Sequence, residues 1–199
     1  MNILTTTPKH NSDKRVIRTK KAIKNALFEI MNNKDIAEIS ISELTACANI
    51  NRRTFYTHYR NITDILDEIE SDLVASLAQL LSSNDRNDIK NSTKKIFLGF
   101  HKLISEEFEY YFKHMRMDVR GRLTSRLRNA IKASTASLYK NTFPESDENG
   151  NIISAFVAGG FLACYMEWYY SEERIPIEKA AEMVGIMTEV CSGARSESL

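Results

Sequence analysis

Residues 51–60 carry the side chains whose types and spacing are best suited to chemistry, and that chemistry is recognition rather than catalysis. The run NRRTFYTHYR places arginine, asparagine, threonine, tyrosine and histidine groups close together. Arginine can donate two hydrogen bonds to guanine in the DNA major groove, and a threonine methyl can contact the methyl of thymine. Tyrosine and histidine can reach phosphates, which position a protein without specifying a sequence. The run therefore predicts a DNA-binding surface.

Two short predicted helices position this run, residues 41–48 and 52–59, separated by the turn Asn49–Ile50–Asn51. Asn49 tolerates the left-handed backbone conformation that such a turn requires. Ser40 and Glu43 have the spacing of a capping box at the start of the first short helix. An amphipathic helix, beginning at Arg18 and ending before residues 32–35, precedes them. This order is that of a helix-turn-helix DNA-binding motif.

The run ISISELTACANINRRTFYTHYRNITDIL, residues 39–66, resembles the DNA-binding domain of the TetR (tetracycline-repressor-like) family of bacterial regulators. The segment RTKKAIKNALFEIM resembles the first helix of that family, and TFYTHY matches its most recognisable signature. The resemblance implies an all-α chain with two domains. Residues 1–62 would form a three-helix helix-turn-helix domain, and residues 63–199 a helical domain that binds an effector and dimerises.

The candidate DNA contacts come partly from residue types and partly from this resemblance. Residue types place donors on the outward side of the second short helix and leave Tyr59 open between packing and phosphate contact, with Phe55 in the core. The resemblance implies that Thr54 and Arg52 or Arg53 face base edges, and it adds phosphate contacts from the preceding helices. The full predicted set is Thr19, Ser42, Thr45, Asn51, Arg52, Arg53, Thr54, Tyr56, Thr57, His58, Tyr59 and Arg60.

Two positions depart from the family pattern. The usual turn glycine is Asn49, which is physically tolerable. The lysine often found at the start of the fourth helix is Ile62, and Arg60 is the candidate replacement for its phosphate contact.

Net charge is +1 overall but unevenly distributed. Residues 1–65 carry 11 basic and 6 acidic side chains, a net charge of +5, whereas the remainder carries 16 and 20, a net charge of −4. A basic segment alone is often only a solvated face. Combined with the motif, it favours a polyanionic partner for the N-terminal third.

The rest of the chain also shows helical periodicity, with no strand-length alternation and no repeat. A fourth helix opens at Asn61 and Asp64, and the polar residues 82–92 form the main internal joint. Further helices are predicted at 93–115, 119–141, 152–170 and 177–191, with a loop at 143–151.

The last two helices resemble the pair that forms the dimer interface in the family, so a homodimer through about residues 152–191 is expected. Small residues there, including Gly159 and Gly160, allow close helix approach. The middle helices are expected to enclose a small-molecule pocket, with Phe100, Ile104, Phe108, Arg120 and Trp168 as candidates. The basic stretch 113–132 is either a solvated face or a site for an anionic effector or partner surface.

Other classes of function find little support. No phosphate-binding glycine loop, zinc-protease motif or serine-hydrolase motif occurs, so no catalytic residue, cofactor or metal is expected. Three distant cysteines form no disulfide framework, residues 1–14 lack the apolar core of a secretion signal, and 152–170 is interpreted as a buried helix rather than a membrane span. These features favour the reducing cytoplasm.

The predicted function is a dimeric transcriptional regulator, not an enzyme. A repressor that binds a palindromic operator and is released by a small molecule fits best. One alternative is an effector-independent or activating regulator that works through a protein partner. Another is a helical enzyme or ligand carrier with a vestigial DNA-binding motif.

Overall fold

The computed structural model describes the backbone of residues 9–82, 88–109, 120–142 and 147–192, and the side chains of 14–82, 88–109, 121–136 and 150–192. Eight α-helices occupy these residues, and no β-strand is found among them. The prediction of an all-α chain is confirmed. The chain divides into two compact units, Met1–Ile69 and Glu70–Leu199.

The N-terminal unit is built from α1 (Lys9–Met31), α2 (Ile41–Cys47), α3 (Arg52–Tyr56) and the first part of α4 (Ile62–Ser82), with one 3-10 turn at Ile36–Glu38. Its core is formed by apolar side chains from every one of these helices: Ile23, Ala26, Leu27, Ile39, Leu44, Phe55, Tyr59, Ile65, Leu66 and Ile69. The amphipathic stripe predicted for α1 is therefore the face that is buried.

Four predicted boundaries are wrong. The helix predicted to begin at residue 93 begins at Ile89, within the stretch predicted as a polar joint. Helix α1 begins at Lys9 rather than Arg18. Its first half is polar and lacks the apolar periodicity that predicts a helix, so its start was predicted too late. Helix α3 ends at Tyr56 rather than at residue 59, since the chain turns there and brings Tyr59 back onto Phe55. Residues 147–151, predicted as loop from their polar composition, already form the first part of a later helix.

The C-terminal unit contains α5 (Ile89–Leu103), which continues into one π-helical turn at Ile104–Phe108, then α6 (Arg120–Thr142), α7 (Asp147–Tyr170) and α8 (Ile177–Cys191). Helix α6 packs along α7, and α5 packs along α8. Residues 110–115 of the predicted fifth helix lie outside the described residues. The prediction for α8 matches its observed bounds.

Aromatic side chains from α5 and α7 form the centre of this unit. The ring of Phe100 meets Tyr165 edge-on, with centroids 4.7 Å apart, and Phe97 meets Phe161 in the same way at 5.3 Å. All four rings are buried. Edge-to-face pairs of this kind add to the free energy gained from burial alone.

Close packing and ion pairing together hold α8 against α5. A Cβ atom on Gly185 would lie 2.7 Å from the backbone oxygen of Lys90, so only glycine allows this approach. The carboxylate of Glu182 pairs with the ammonium groups of Lys90 at 2.8 Å and Lys94 at 2.7 Å. Hydrogen bonds from these two lysines lower the pKa of Glu182 to about 2.

A buried carboxylate joins the C-terminal part of α4 to α6. Glu70 is fully buried, and its two carboxylate oxygens accept hydrogen bonds from Arg122 at 3.0 Å and from Arg126 at 2.9 Å. Arg126 also donates to Ser71 at 2.8 Å. Two arginines of the basic stretch 113–132 thus bind an anion, but the anion is the protein's own carboxylate.

The stability of the protein should fall by different amounts when the two arginines are replaced and when Glu70 is replaced. Replacing both arginines (Arg122→Leu with Arg126→Leu) removes two cations from a buried carboxylate, and we expect a loss of about 3–5 kcal/mol in the free energy of unfolding. Glu70→Gln should cost less, because the arginine side chains are 46% and 36% exposed and can be hydrated.

Urea unfolding at neutral pH measures these free energies. Adding Glu70→Gln to the double arginine variant should recover part of the loss, since the buried charge is then gone. An equal or larger loss for Glu70→Gln alone would contradict this account of the Glu70 carboxylate.

Candidate nucleic-acid interface

The turn between α2 and α3 is built by a left-handed residue at the end of α2. Asn49 has a φ of 52°, and it is the one non-glycine residue with positive φ among those described. The amide of Asn49 donates to the carbonyl of Ala46 at 3.1 Å, and that of Ile50 donates to the carbonyl of Thr45 at 3.0 Å. These two bonds form a Schellman motif, which satisfies the last carbonyls of α2.

The start of each short helix is capped by a side chain. The Oγ of Ser40 accepts a hydrogen bond from the amide of Glu43 at 3.1 Å, as the capping-box spacing predicted. The Oδ1 of Asn51 accepts from the amide of Thr54 at 2.7 Å and from the hydroxyl of Thr54 at 3.0 Å. Asn51 is thus committed to the cap of α3, while its amide NH₂ group remains available for other contacts.

Burial of Phe55 sets which side of α3 faces solvent. The Phe55 ring is fully buried, and its neighbours on the opposite side of the helix are exposed. Of the predicted DNA contacts, those that the structure leaves exposed are Ser42, Asn51, Arg52, Arg53, Tyr56, Thr57 and Arg60, and those that are half-buried are Thr19, Thr54 and His58. No ion pair to Arg52 or Arg53 occurs within the described part of the chain, so both guanidinium groups are available to a ligand.

Two predicted contacts are buried, which assigns them to packing. Thr45 is 4% exposed, and its hydroxyl donates to the carbonyl of Ser42 at 3.1 Å. Tyr59 is 3% exposed, with its ring 6.0 Å from Phe55 and the ammonium of Lys20 5.5 Å from its centroid. The sequence left two roles open for Tyr59, packing in the core or contact with a DNA phosphate, and its burial favours packing.

Thr19 lies in the interior of α1 rather than at its start. Because α1 begins at Lys9, the amide groups around Thr19 are already used inside the helix. The Thr19 hydroxyl donates to the carbonyl of Arg15 at 2.9 Å. Thr19 therefore has no free amide group to offer to the predicted phosphate contact.

Helix α4 begins where the sequence predicts that it does. The Oδ1 of Asn61 accepts from the amide of Asp64 at 3.0 Å, and a carboxylate oxygen of Asp64 accepts from the amide of Arg60 at 2.8 Å. This reciprocal cap confirms that Asn61 and Asp64 open the fourth helix. It holds the backbone of Arg60 next to the end of α3, while the residue itself stays exposed.

Some of the basic side chains of the N-terminal third form ion pairs within the protein itself. The carboxylate of Glu68 pairs with the ammonium of Lys20 at 2.6 Å and with that of Lys24 at 2.9 Å, which holds α1 to α4. Partial burial raises the pKa of Glu68, but the hydrogen bonds from both lysines outweigh it and leave the pKa lowered. The i, i+4 spacing of the two lysines was visible in the sequence, whereas their shared partner was not.

Comparison by sequence finds one relevant relative. A stretch of 55 residues is 44% identical to the uncharacterized HTH-type transcriptional regulator YxbF of Bacillus subtilis (strain 168). That stretch is 27% of this chain and 14% of YxbF, so the chain matches only a small part of the length of this curated relative. No family model matches the chain.

Solved structures of transcriptional regulators superpose on most of the chain. A TetR regulator from Streptococcus agalactiae 2603V is 18% identical with a TM-score of 0.62, covering 91% of this chain and 99% of its own. A TetR-family regulator from Streptomyces coelicolor is 14% identical with a TM-score of 0.65, covering 91% and 84%. The dihydroxyacetone kinase operon activator DhaS is 18% identical with a TM-score of 0.55, covering 89% and 98%.

The chain has the TetR-family fold. The resemblance carried by residues 18–66 is therefore confirmed at the level of the fold over most of the chain. The proteins matched are transcriptional regulators, as predicted, and not enzymes.

Within this TetR-like fold, α7 and α8 carry a large apolar surface. The exposed large apolar residues on these helices and the segment between them are Ile152, Phe156, Ile175, Met183, Met187 and Val190. Residues Gly150–Tyr170 are long and apolar enough to cross a membrane by length and composition, a test that the core helix of a protein without a membrane span also passes. Only 33% of that apolar window is buried inside the chain, so the prediction of a buried helix holds for part of its surface.

Two grooves lie on this apolar surface. One, of about 530 Å³, is lined by residues that include Cys164, Trp168, Arg174, Ile175 and Met183. The other, of about 450 Å³, is lined by Phe156, Gly160, Cys164, Met187, Val190 and neighbours. Apart from Phe97 in the larger groove, the residues that line both grooves belong to the predicted dimerisation region of residues 152–191.

The predicted effector residues are not brought together in either of these two grooves. Phe100, Ile104 and Phe108 are buried in the packed core of the C-terminal unit, and Trp168 lines the larger groove. The side chain of Arg120 lies outside the described residues. Aromatic density along α5 was the signal for a pocket, but the rings of α5 and α7 fill the space between these helices with each other.

A polar cluster beside the larger groove was not predicted. The Nδ1 of His101 lies 3.2 Å from the buried hydroxyl of Tyr165, and the His101 ring meets Trp168 edge-on at 4.9 Å. The guanidinium of Arg174 lies 5.5 Å from the Trp168 ring centroid. Burial, and next the charge of Arg174, lowers the pKa of His101.

The left-handed turn residue gives a sharp test of the motif. We expect Asn49→Ala to lower the free energy of unfolding by about 1 kcal/mol, because alanine keeps the Cβ strain at positive φ but loses the short polar side chain that lets asparagine tolerate it. Asn49→Gly should be neutral or stabilising, since glycine adopts this conformation freely. Thermal or urea unfolding measures both, with Asn25→Ala on the exposed face of α1 as the matched control. Equal losses for alanine and glycine would show that the Asn49 side chain matters and the backbone conformation does not.

Proposed function

We propose that this chain is a DNA-binding transcriptional regulator of the TetR type that reads DNA through α3. The single observation that supports this most is the exposed side of α3. Arg52, Arg53 and Tyr56 project from a helix whose opposite side is anchored by the buried Phe55 and whose start is capped by Asn51. Exposed guanidinium groups on a short, fixed helix suit recognition in the major groove.

The regulator is proposed to act as a homodimer through α7 and α8. Six large apolar side chains are exposed on these helices and the segment between them, and exposed apolar patches of this kind mark protein contacts. A two-fold dimer presents two copies of α3 and therefore matches a palindromic operator. A cytoplasmic location follows from this function, since the operator is chromosomal DNA.

The regulator is further proposed to be a repressor that a small molecule releases from its operator. The effector would bind in the C-terminal unit and favour a spacing of the two α3 helices that no longer fits adjacent major grooves. Helix α4 contains residues of both units, and the Glu70 bridges to Arg122 and Arg126 tie its C-terminal part to α6. A shift of α6 would therefore act on α4 directly.

The second candidate is an activator that works through a protein partner. The protein DhaS, whose structure shares the fold, is an operon activator, so the fold is compatible with activation as well as repression. The basic stretch 113–132 offers less to an acidic partner than its composition indicates, because Arg122 and Arg126 already bind Glu70. A repressor without a required protein partner is therefore the first proposal.

DNA recognition can be tested by selecting binding sites from random duplexes with the purified chain. We expect a two-fold-symmetric site whose affinity falls steeply with salt, as phosphate contacts require. Arg53→Ala should weaken binding roughly 10- to 100-fold, the range for losing one good base contact. Lys102→Ala, which removes an exposed cation from the C-terminal unit, should leave affinity almost unchanged. Selection that enriches no site would refute DNA recognition by the chain on its own.

The dimer can be tested by sedimentation at micromolar concentration. We expect a mass of two chains, and a shift to one chain for Phe156→Asp and for Met187→Asp, because an added carboxylate must be desolvated at the interface. Both side chains are exposed in the single chain, so folding should survive the change. Ile17→Asp is the matched control, since Ile17 is equally exposed but lies on α1. A wild-type chain that sediments as a monomer contradicts the proposed interface.

A further inference from the structure

The threonine hydroxyls of the helix-turn-helix are all donated to acceptors of the protein itself. Thr45 donates to the carbonyl of Ser42 at 3.1 Å, Thr57 to the carbonyl of Thr54 at 2.6 Å, and Thr54 to Oδ1 of Asn51 at 3.0 Å. A hydroxyl has one proton to donate, and phosphate oxygens at neutral pH only accept. While these bonds persist, none of the three threonines can donate to the DNA backbone.

Thr54 differs from the other two because a side chain holds its hydroxyl. A single oxygen, Oδ1 of Asn51, accepts both the amide proton and the hydroxyl proton of Thr54. With the hydroxyl held on Asn51, the χ1 angle of Thr54 is restricted, and the position of its methyl group is restricted with it. Thr54 is half-buried, on the same short helix as the exposed Arg52 and Arg53.

We propose that Asn51 is a positioning residue that makes Thr54 an apolar reader of DNA. With its proton committed to Asn51, Thr54 recognises one thymine in each half-site through the thymine 5-methyl group rather than through a hydrogen bond. This inference rests on the proposed function, since it concerns the same DNA-binding surface. It assigns the specificity of Thr54 to a contact between two methyl groups.

Recognition of a base by the hydroxyl oxygen of Thr54, in place of its methyl group, uses the same geometry and predicts a different base. The hydroxyl oxygen of Thr54 retains lone pairs, which could accept from the amino group of cytosine or adenine. That readout would prefer an amino-bearing base and would be insensitive to a pyrimidine methyl. The two forms are therefore separable by changing one methyl group in the DNA.

The experiment replaces each thymine of the selected site with deoxyuridine, which removes only the 5-methyl group. For the wild-type chain we expect one thymine per half-site at which the replacement weakens binding about 3- to 5-fold, the value of one buried methyl-sized group. Thr54→Val cannot bond to Asn51, but the helix itself restricts the χ1 angle of valine and so fixes its methyl groups, and this variant should keep the loss. Thr54→Ser keeps the hydroxyl, lacks the methyl, and should bind both DNAs equally.

Variants of Asn51 test the positioning step separately from folding. Asn51→Asp retains a carboxyl oxygen that can accept both protons, so it should preserve the thymine-to-uracil ratio even though its charge lowers overall affinity. Asn51→Gly retains a tolerated N-cap residue but no acceptor, so the ratio should fall towards one. Far-ultraviolet circular dichroism and thermal unfolding verify that each variant is folded.

The outcomes distinguish this inference from the proposed function. No selected site for the wild-type chain would refute the proposed function itself. A selected site with no uracil-sensitive thymine, or with the same sensitivity in Thr54→Ser, would overturn methyl recognition by Thr54. An unchanged ratio in Asn51→Gly would overturn the positioning role of Asn51 and leave methyl recognition standing.

Discussion

Helix α3 depends on two interactions outside its own backbone, and the DNA-binding surface depends on α3. Five residues are too few for a stable isolated helix, because nucleation fixes several dihedral angles for each hydrogen bond gained. Burial of Phe55 supplies the packing that such a helix lacks, and the Asn51 cap satisfies the amide of Thr54 in its only turn. The left-handed Asn49 then sets the direction in which α3 leaves α2. Each of these residues helps to place the arginines of α3.

The C-terminal unit is held by a different balance of forces. Aromatic packing between α5 and α7 removes apolar surface from water, while the buried Glu70 and the half-buried Glu182 each join two helices through a pair of cations. The apolar residues of α7 and α8 that remain outside this core are the ones that the proposed partner copy would cover. The same helices therefore stabilise the unit on one side and expose apolar side chains on the other.

Much of the architecture could be predicted because it is recorded in local patterns. The caps at Ser40 and Asn61, the turn at Asn49 and the bounds of α8 all follow from residues within a few positions of each other. The candidate pocket could not be predicted in the same way, because an aromatic side chain at helical spacing lines a cavity or fills it according to what the facing helix supplies. Phe100 faces Tyr165, and the space between them is filled.

The sequence by itself determined the helical class, the helix-turn-helix with its capping residues, and the chemical types available on α3. Only the tertiary structure decided which polar side chains of the chain are already bound or buried within the protein. Lys20 and Lys24 are held by Glu68, Arg122 and Arg126 by Glu70, and Tyr59 is buried beside Phe55. The physical reason is the range of each interaction. Caps and turns join neighbours along the chain, whereas charges and rings find partners on other helices, at sequence separations that periodicity does not encode.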